Sequence, residues 1–586
     1  MPQAPIELRV RIGGEAGFGI KAAGQMLARS FADAGLQTFD LTEYPSLIRG
    51  GHNNYLLRVS AEPVYSHVEP VDALICLNRE TLHLHHQELV DGGAVIFDPA
   101  DFATDEIPDR LRPVPLQLTD IARDSGGKIM RNTVALGALL GIVDFPLTYL
   151  SDSLHRQFAR KAPEVAEGNI AAAQAGFDAA RAECSDFFVH LAPVEGAPKR
   201  MLVDGNEAIG LGALAAGIGM YAAYPMTPAS SLLHIMASYE REYGVVVKHT
   251  EDEIAAMNMV AGAAFGGTRA MCASAGGGFA LMVEAFGMAG VSESAVVVGV
   301  FTRPGPATGL PTWTEQSDLR YVIHAAQGEF PRVVLAPGDR EDAFTLTWKA
   351  FNLADQLQTP VVILGDSYLS DNRQSIPLYD LSKVTIDRGK LVAEGEVPPD
   401  AKDADGRYLR YKVTEDGVSV RALPGVKGAN QLANSYEHDE YGWGSAGETA
   451  EARIAQNEKR MRKMELAATL APPPAYFGPP PEEADIGLLF FGTTKGPARE
   501  AARMLERDGI KAALMQVVTV WPFPAADVAV FLGKAPKVLL IEGNYTGQLE
   551  GLVRQECLLA IEHRLHRYDG RPFTPEQIVA AAKEVL

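Results

Sequence analysis

The chain has 586 residues, and at about 150 residues per domain that length calls for three or four domains with linkers. Hydrophobic residues make up 47% and charged residues 22%, a globular composition that excludes a mostly disordered chain. With 53 Lys and Arg against 74 Asp and Glu, the formal net charge of −21 argues against a nucleic-acid or anionic-membrane binder, because phosphate binding needs positive charge.

The opening predicts strand, turn, helix and strand: Ile6–Ile12, the turn GGEAGFG, Ile20–Ala34 and Gln37–Leu41. A glycine-rich turn between a β-rich run and an amphipathic helix is a βαβ signature. The apolar runs Ala73–Leu77 and Ala94–Phe97 predict further parallel strands. An alanine-rich helix around Asn169–Ala182 ends the first domain, and Pro193–Arg200 reads as a linker. From Met201 onward, strands are expected at Val246–Lys248, Arg269–Ala273, Ala295–Val300, Arg332–Leu335 and Pro360–Leu364. The uncharged run from Ala208 to Met226 reads as a buried strand–helix segment rather than a membrane span. Apolar periodicity weakens from Asp371 to Leu470, where Glu448–Leu470 predicts a polar helix with charges at helical spacing. Residues 470–485 form a stiff proline-rich connector to a last α/β domain with strands at Ile486–Phe491 and Val538–Ile541.

Four cysteines occur, Cys76, Cys184, Cys272 and Cys557, far apart and without a CxxC. Neither an iron–sulfur ligand run nor a zinc ribbon follows from them. With an opening, MPQAPIELRV, that has no apolar signal region, they point to a reducing cytoplasm. His83, His85 and His86 with Glu80 and Glu88 read as a solvated helix face rather than a metal site, and Glu437 to Glu440 as loop or capping chemistry.

The first glycine turn offers two readings. Gly14-x-x-Gly17-x-Gly19 followed by Asp40 mimics a dinucleotide turn with its ribose-binding acid, which keeps a nicotinamide-dependent dehydrogenase open; the alternative is a tight strand-to-helix turn. The later loop around Arg49, flanked by Gly50 and Gly51, can grip an anion or form a surface turn. Three segments are more specific. Prolines bracket Met226-Thr227 in YPMTPAS, so Thr227 is presented on a stiff turn as an N-cap beside a ligand. In TEDEIAAMNMV, a carboxylate enters an otherwise apolar helix and needs a partner once buried. Arg303 ends an apolar strand, where open α/β sheets place ligands and a substrate carboxylate would be held.

These three segments resemble the alpha subunit of the 2-oxoacid:ferredoxin oxidoreductases, thiamine-diphosphate enzymes. The opening GGEAGFGIKAAGQMLARSFADAG with YPSLIRGGHNN resembles the family's gamma subunit, here fused in front of alpha, with GEAG where GGQG is common. RYKVTEDGVSVRALPG, NSYEHDEYGWG and EKRMRK resemble the alpha pattern, and FFGTTKGPARE, VWPFP and EGNYTGQLEGLVRQ a transketolase-C-like piece. The resemblance implies a multidomain α/β chain: a gamma-type domain over 1–195, a pyrimidine-binding domain over 200–375, a connecting segment over 376–470 and a transketolase-C-like domain over 484–586. It implies that Glu253 meets the aminopyrimidine of thiamine diphosphate and favours the tautomer that yields the ylid. It also implies that Thr227 and Arg303 hold the 2-oxoacid, that Tyr224 and Pro225 line the cofactor, and that Gly17, Gly19 and Arg49 contribute to coenzyme A binding. Gly338-Asp339-Arg340 and Gly365-Asp366-Ser367 lack the second glycine of the family's GDG motif. Mg2+ and a [4Fe-4S] cluster are therefore expected on a beta subunit that carries GDG and cluster cysteines, with ferredoxin as electron acceptor and an (alpha-beta)2 assembly. The resemblance favours 2-oxoglutarate as substrate and leaves pyruvate and branched-chain 2-oxoacids open; a non-catalytic scaffold subunit is the remaining alternative.

Overall fold

The computed structural model describes residues 7–47, 50–159, 162–184 and 186–586. It divides into two compact units. The first comprises Met1–Asp204, Asp371–Leu378 and Thr574–Val579; the second holds Gly205–Ser370, Tyr379–Phe573 and Ala580–Leu586.

An eight-stranded sheet organises the first unit. Its strands run in the order Arg112–Pro115, Leu89–Phe97, Val71–Cys76, Glu7–Glu15, His52–Ser60, Gln37–Glu43, Arg373–Pro377 and Arg200–Asp204. The expected strands at 73–77 and 94–97 are present and parallel to the first. The expected βαβ opening is altered, because the His52–Ser60 strand inserts antiparallel between Glu7–Glu15 and Gln37–Glu43. On one face Leu8, Val10 and Ile12 bury against Ile20, Ala23, Leu27 and Phe31 of the Ile20–Asp33 helix, a 3.6-residue stripe meeting a two-residue alternation.

The expected domain limits at 195, 200 and 375 are not those of the compact units. Arg200–Asp204 and Arg373–Pro377 pair antiparallel with each other, and Gln374 pairs with Phe39, so both segments complete the first unit's sheet. Backbone hydrogen bonding across distant segments decides this, and no local periodicity announces it.

In the second unit a seven-stranded sheet runs Thr519–Trp521, Val333–Leu335, Val361–Asp366, Val296–Thr302, Ala270–Ser274, Met220–Ala223 and Val246–His249. All neighbours are parallel except Thr519–Trp521. Alternate residues enter two cores. Cys272, Val298 and Val300 pack with helices Glu253–Phe265 and Gly276–Val291, while Met271, Ala273 and Val297 pack with Gly205–Ala215, Ser230–Tyr243 and Arg340–Leu357. A sheet covered on both faces explains the near-continuous apolar strands. The last third forms a five-stranded sheet, Ala475–Phe477, Ala512–Val517, Ile486–Phe491, Val538–Glu542 and His563–His566. It shares a compact unit with the preceding sheet, and Thr519–Trp521 pairs with Val333–Leu335.

The polar helix expected over Glu448–Leu470 spans Ala450–Leu470 and buries Lys459, Arg460 and Lys463 on one side. Among the described residues, no helix is long and apolar enough to cross a membrane. The uncharged run after Ala208 is divided between the Gly205–Ala215 helix and the Met220–Ala223 strand.

Candidate active site

Four parallel strands of the second unit end at one edge of the sheet, and three of them hand over to segments singled out in the sequence. Met220–Ala223 leads into Tyr224, Pro225 and Thr227; Val246–His249 leads into Glu251, Asp252 and Glu253; Ala270–Ser274 into three consecutive glycines; and Val296–Thr302 into Arg303. This carboxyl edge is where open α/β sheets bind ligands.

Helix Glu253–Phe265 starts with a division of labour inside the acidic cluster. Asp252 is the N-cap, its Oδ1 accepting from Ala255 N at 2.8 Å, and Glu251 is exposed. Glu253, one residue on, is 3% exposed and its Oε1 has no hydrogen-bond partner among the described residues. Ser274, fully buried at the end of its strand, likewise has an unpartnered Oγ. A Cβ placed on Gly278 would fall 2.0 Å from Ser274 Oγ and 2.6 Å from Glu253 Oε1, so the absent side chain is what admits both oxygens. Gly278 lies in the first turn of helix Gly276–Val291, whose first N–H groups have no intrahelical acceptor and favour negative charge nearby. Buried oxygens without partners are rare and unfavourable. This donor set fits a ligand that offers a hydrogen-bonding ring edge to Glu253, as the aminopyrimidine of thiamine diphosphate does.

Thr227 and Arg303 meet directly: Arg303 Nη1 donates to the Thr227 carbonyl at 2.7 Å. Arg303 is half-buried, forms no ion pair among the described residues, and burial lowers its pKa. A desolvated guanidinium bonded only to a neutral carbonyl retains donors for an anionic group. The N-cap expected of Thr227 is instead Ala229, because the helix begins at Ser230 and the proline turn occupies Thr227-Pro228. Asn206 supports that turn from below, its Nδ2 donating to Pro228 O at 2.9 Å and Ser231 Oγ at 2.7 Å. Tyr224 is partly exposed, its ring 6.3 Å from that of His249, and Pro225 is half-buried beside it.

Sequence reasoning missed two neighbours. Asp318 presses against Gly276, where a Cβ would fall 2.3 Å from its Oδ2; burial pushes its pKa up to about 6 against a Thr302 hydrogen bond. Ser274 carries no signal of its own, since a serine at a strand end is ordinary until its lack of a partner is seen.

The remaining expected residues lie in the first unit. Gly17 and Gly19 both adopt positive φ, 96° and 75°, and Gly19 is the N-cap residue of Ile20–Asp33. No atom lies within 4 Å of a Cβ built on Gly17, so its backbone is open to an incoming group. Arg49 falls outside the described residues. Asp40, the would-be ribose acid, is 2% exposed and accepts from Tyr55 Oη at 2.5 Å and Arg373 N at 2.6 Å. That engagement counts against a dinucleotide at this turn. His85 bridges Glu88 and His52 at 2.8 Å each, and among the described residues no group of three His, Cys, Asp or Glu is placed to hold a metal ion.

Comparison with known proteins covers almost the whole chain. Residues 9–179 match the family described as pyruvate ferredoxin/flavodoxin oxidoreductase, and 211–459 match pyruvate flavodoxin/ferredoxin oxidoreductase, thiamine diphosphate-binding. Residues 484–578 match pyruvate:ferredoxin oxidoreductase core domain II. The 2-oxoacid:ferredoxin oxidoreductase 2 alpha subunit of Aeropyrum pernix is 32% identical over 99% of this chain and 98% of its own length. A Sulfolobus 2-oxoacid:ferredoxin oxidoreductase alpha subunit is 30% identical over 98% of this chain and 96% of its own. Among solved structures, the 2-oxoglutarate:ferredoxin oxidoreductase of Magnetococcus marinus, with 2-oxoglutarate, coenzyme A and succinyl-CoA bound, aligns with TM-score 0.92 at 33% identity, covering 99% of this chain and 100% of that one.

Proposed function

The chain belongs to the thiamine-diphosphate-dependent 2-oxoacid:ferredoxin oxidoreductases, and we propose that it is a gamma-fused alpha subunit that converts 2-oxoglutarate, coenzyme A and oxidised ferredoxin to succinyl-CoA, CO2 and reduced ferredoxin, reversibly. The observation that carries the reading is the convergence of Glu253, Thr227 and Arg303 on one carboxyl edge, with Glu253 Oε1 buried and unpartnered. The 2-oxoglutarate and coenzyme A bound by the Magnetococcus marinus enzyme support this choice among 2-oxoacids.

Thiamine diphosphate, when bound, supplies the nucleophilic carbon and the electron sink for decarboxylation. Glu253 holds a proton between its carboxyl and the ring nitrogen of the aminopyrimidine, a task suited to a carboxyl kept from water. Arg303 binds the 2-oxoacid's carboxylate, and the stiff turn at Thr227 fixes the carbonyl for attack. Tyr224 and Pro225 line the cofactor. Gly17, Gly19 and Arg49 contribute to coenzyme A binding.

Mg2+, the cofactor's diphosphate and a [4Fe-4S] cluster belong to a beta subunit in an (alpha-beta)2 assembly. A reducing cytoplasm suits the free cysteines, three of them buried. The test is steady-state kinetics on the chain reconstituted with its beta subunit. Coenzyme A-dependent reduction of ferredoxin is expected with 2-oxoglutarate, at a kcat/KM at least tenfold above pyruvate or a branched-chain 2-oxoacid, and no turnover by the chain alone. Preference for another 2-oxoacid overturns the substrate assignment, and turnover without the beta subunit overturns the division of cofactor sites.

A further inference from the structure

Ser274 is the last residue of a central strand, in register with Val300, and has no solvent exposure. Its hydroxyl can donate one hydrogen bond and accept two, and it makes none. The adjacent helix start does not employ it: the N-cap is Ala275, with no side-chain cap. Across Gly278 lies Glu253, whose Oε1 is also unpartnered among the described residues, and Asp318 lies against Gly276 two residues earlier. Replacing Gly278 by any other residue would fill the space between them.

We propose that Ser274 is a positioning residue for the Glu253 carboxyl: its Oγ–H donates to Oε1 once the cofactor ring engages the other carboxyl oxygen. This inference rests on the reading of Glu253 given above. A hydroxyl that donates to one carboxyl oxygen holds the group's orientation and fixes which oxygen faces the ring.

The test uses the assembled complex loaded with thiamine diphosphate, and reads exchange of the cofactor's C2 hydrogen for deuterium, beside cofactor affinity. Ser274→Ala removes one oxygen and leaves the strand's backbone ladder intact. It should slow exchange about tenfold, because the carboxyl loses the donor that fixes its orientation. Affinity for the cofactor should stay within about threefold. In a Glu253→Gln background the same substitution should add nothing, since no carboxyl is left to orient. Unslowed exchange in Ser274→Ala, or an undiminished effect of Ser274→Ala in the Glu253→Gln background, overturns the proposal and leaves Ser274 a packing residue. If Glu253→Gln itself leaves exchange unchanged, the reading of Glu253 fails, a result distinct from failure of Ser274→Ala alone.

Discussion

The two ends of helix Gly276–Val291 bury polar groups to similar depth and treat them in opposite ways. At the start, Glu253 Oε1 and Ser274 Oγ have no partners. Just past the end, Glu293 is fully buried and both its carboxylate oxygens and its backbone carbonyl are engaged: Lys459 and Lys463 each donate to one carboxylate oxygen, the latter at 2.6 Å, and Arg410 donates to the backbone carbonyl at 3.1 Å. His438 Nε2 lies 3.1 Å from the Val291 carbonyl, and Arg460 grips Glu437 through two bonds of 2.9 and 2.8 Å. The engaged end fastens the 379–470 segment to the catalytic unit. The unengaged end keeps its donors and acceptors for a ligand. Polar satisfaction therefore separates scaffold from site within a single helix.

Breaking either end sharpens that contrast. The largest effect is expected from Glu253→Gln, which preserves shape while removing the acid: turnover of the assembled complex should fall about 10²–10⁴-fold with thermal stability nearly unchanged. Glu293→Gln should do the reverse. It removes the charge that both buried lysines share as a partner, so chemical denaturation should report a loss of about 3–5 kcal/mol, with catalysis by the surviving folded complex little altered. Arg303→Ala comes next, with an expected loss of about 2–3 kcal/mol, read as a thirty- to hundredfold rise in KM for the 2-oxoacid and little change for coenzyme A. An equal rise for both substrates would make Arg303 a structural residue.

The smallest effect is a pH dependence of stability. Burial, opposed by the Glu293 charge, pushes the Lys459 amine down to about 7 and that of Lys463 to about 8. Although burial opposes it, the lysines and Arg410 hold the Glu293 carboxyl well below the usual carboxylate range. Between their lowered values and the ordinary lysine range, the unfolded chain binds more protons than the folded one, so stability should rise with pH from about 7 to 9. The slope should be on the order of 1 kcal/mol per pH unit in denaturant melts, and Lys459→Met should flatten it. Below the ordinary range of glutamate, protonation of Glu293 works against the fold.

Strands covered on both faces are legible in the sequence, because they are short apolar runs bounded by glycine and proline. Ile486–Phe491 was read at its observed limits, and Val296–Thr302 within two residues. The His52–Ser60 strand was not, since its polar start, His52-Asn53-Asn54, hides the alternation that follows. Nor was the use of Arg373–Pro377 by the first sheet, which depends on pairing with residues more than 150 positions away in sequence. The acidic cluster at 251–253 marked a buried carboxylate, yet only the capping bond of Asp252 and the exposure of Glu251 distinguish its three members. The burial of Lys459, Arg460 and Lys463 is not legible in the sequence, because charge at helical spacing looks the same whether it faces water or a buried glutamate. Ser274 and Gly278 were invisible for a simpler reason: their meaning lies in what they leave unfilled.

The central claim is that the buried, unpartnered carboxyl of Glu253 exists to hold a proton at the cofactor ring. Exchange of the C2 hydrogen of bound thiamine diphosphate, followed by NMR of quenched enzyme, tests it most directly. Glu253→Gln should slow exchange by about 10²–10⁴-fold in a complex that remains assembled and cofactor-loaded, while Glu251→Gln stays within about twofold of the unsubstituted enzyme. Unchanged exchange in Glu253→Gln, or a larger defect in Glu251→Gln, would contradict the account.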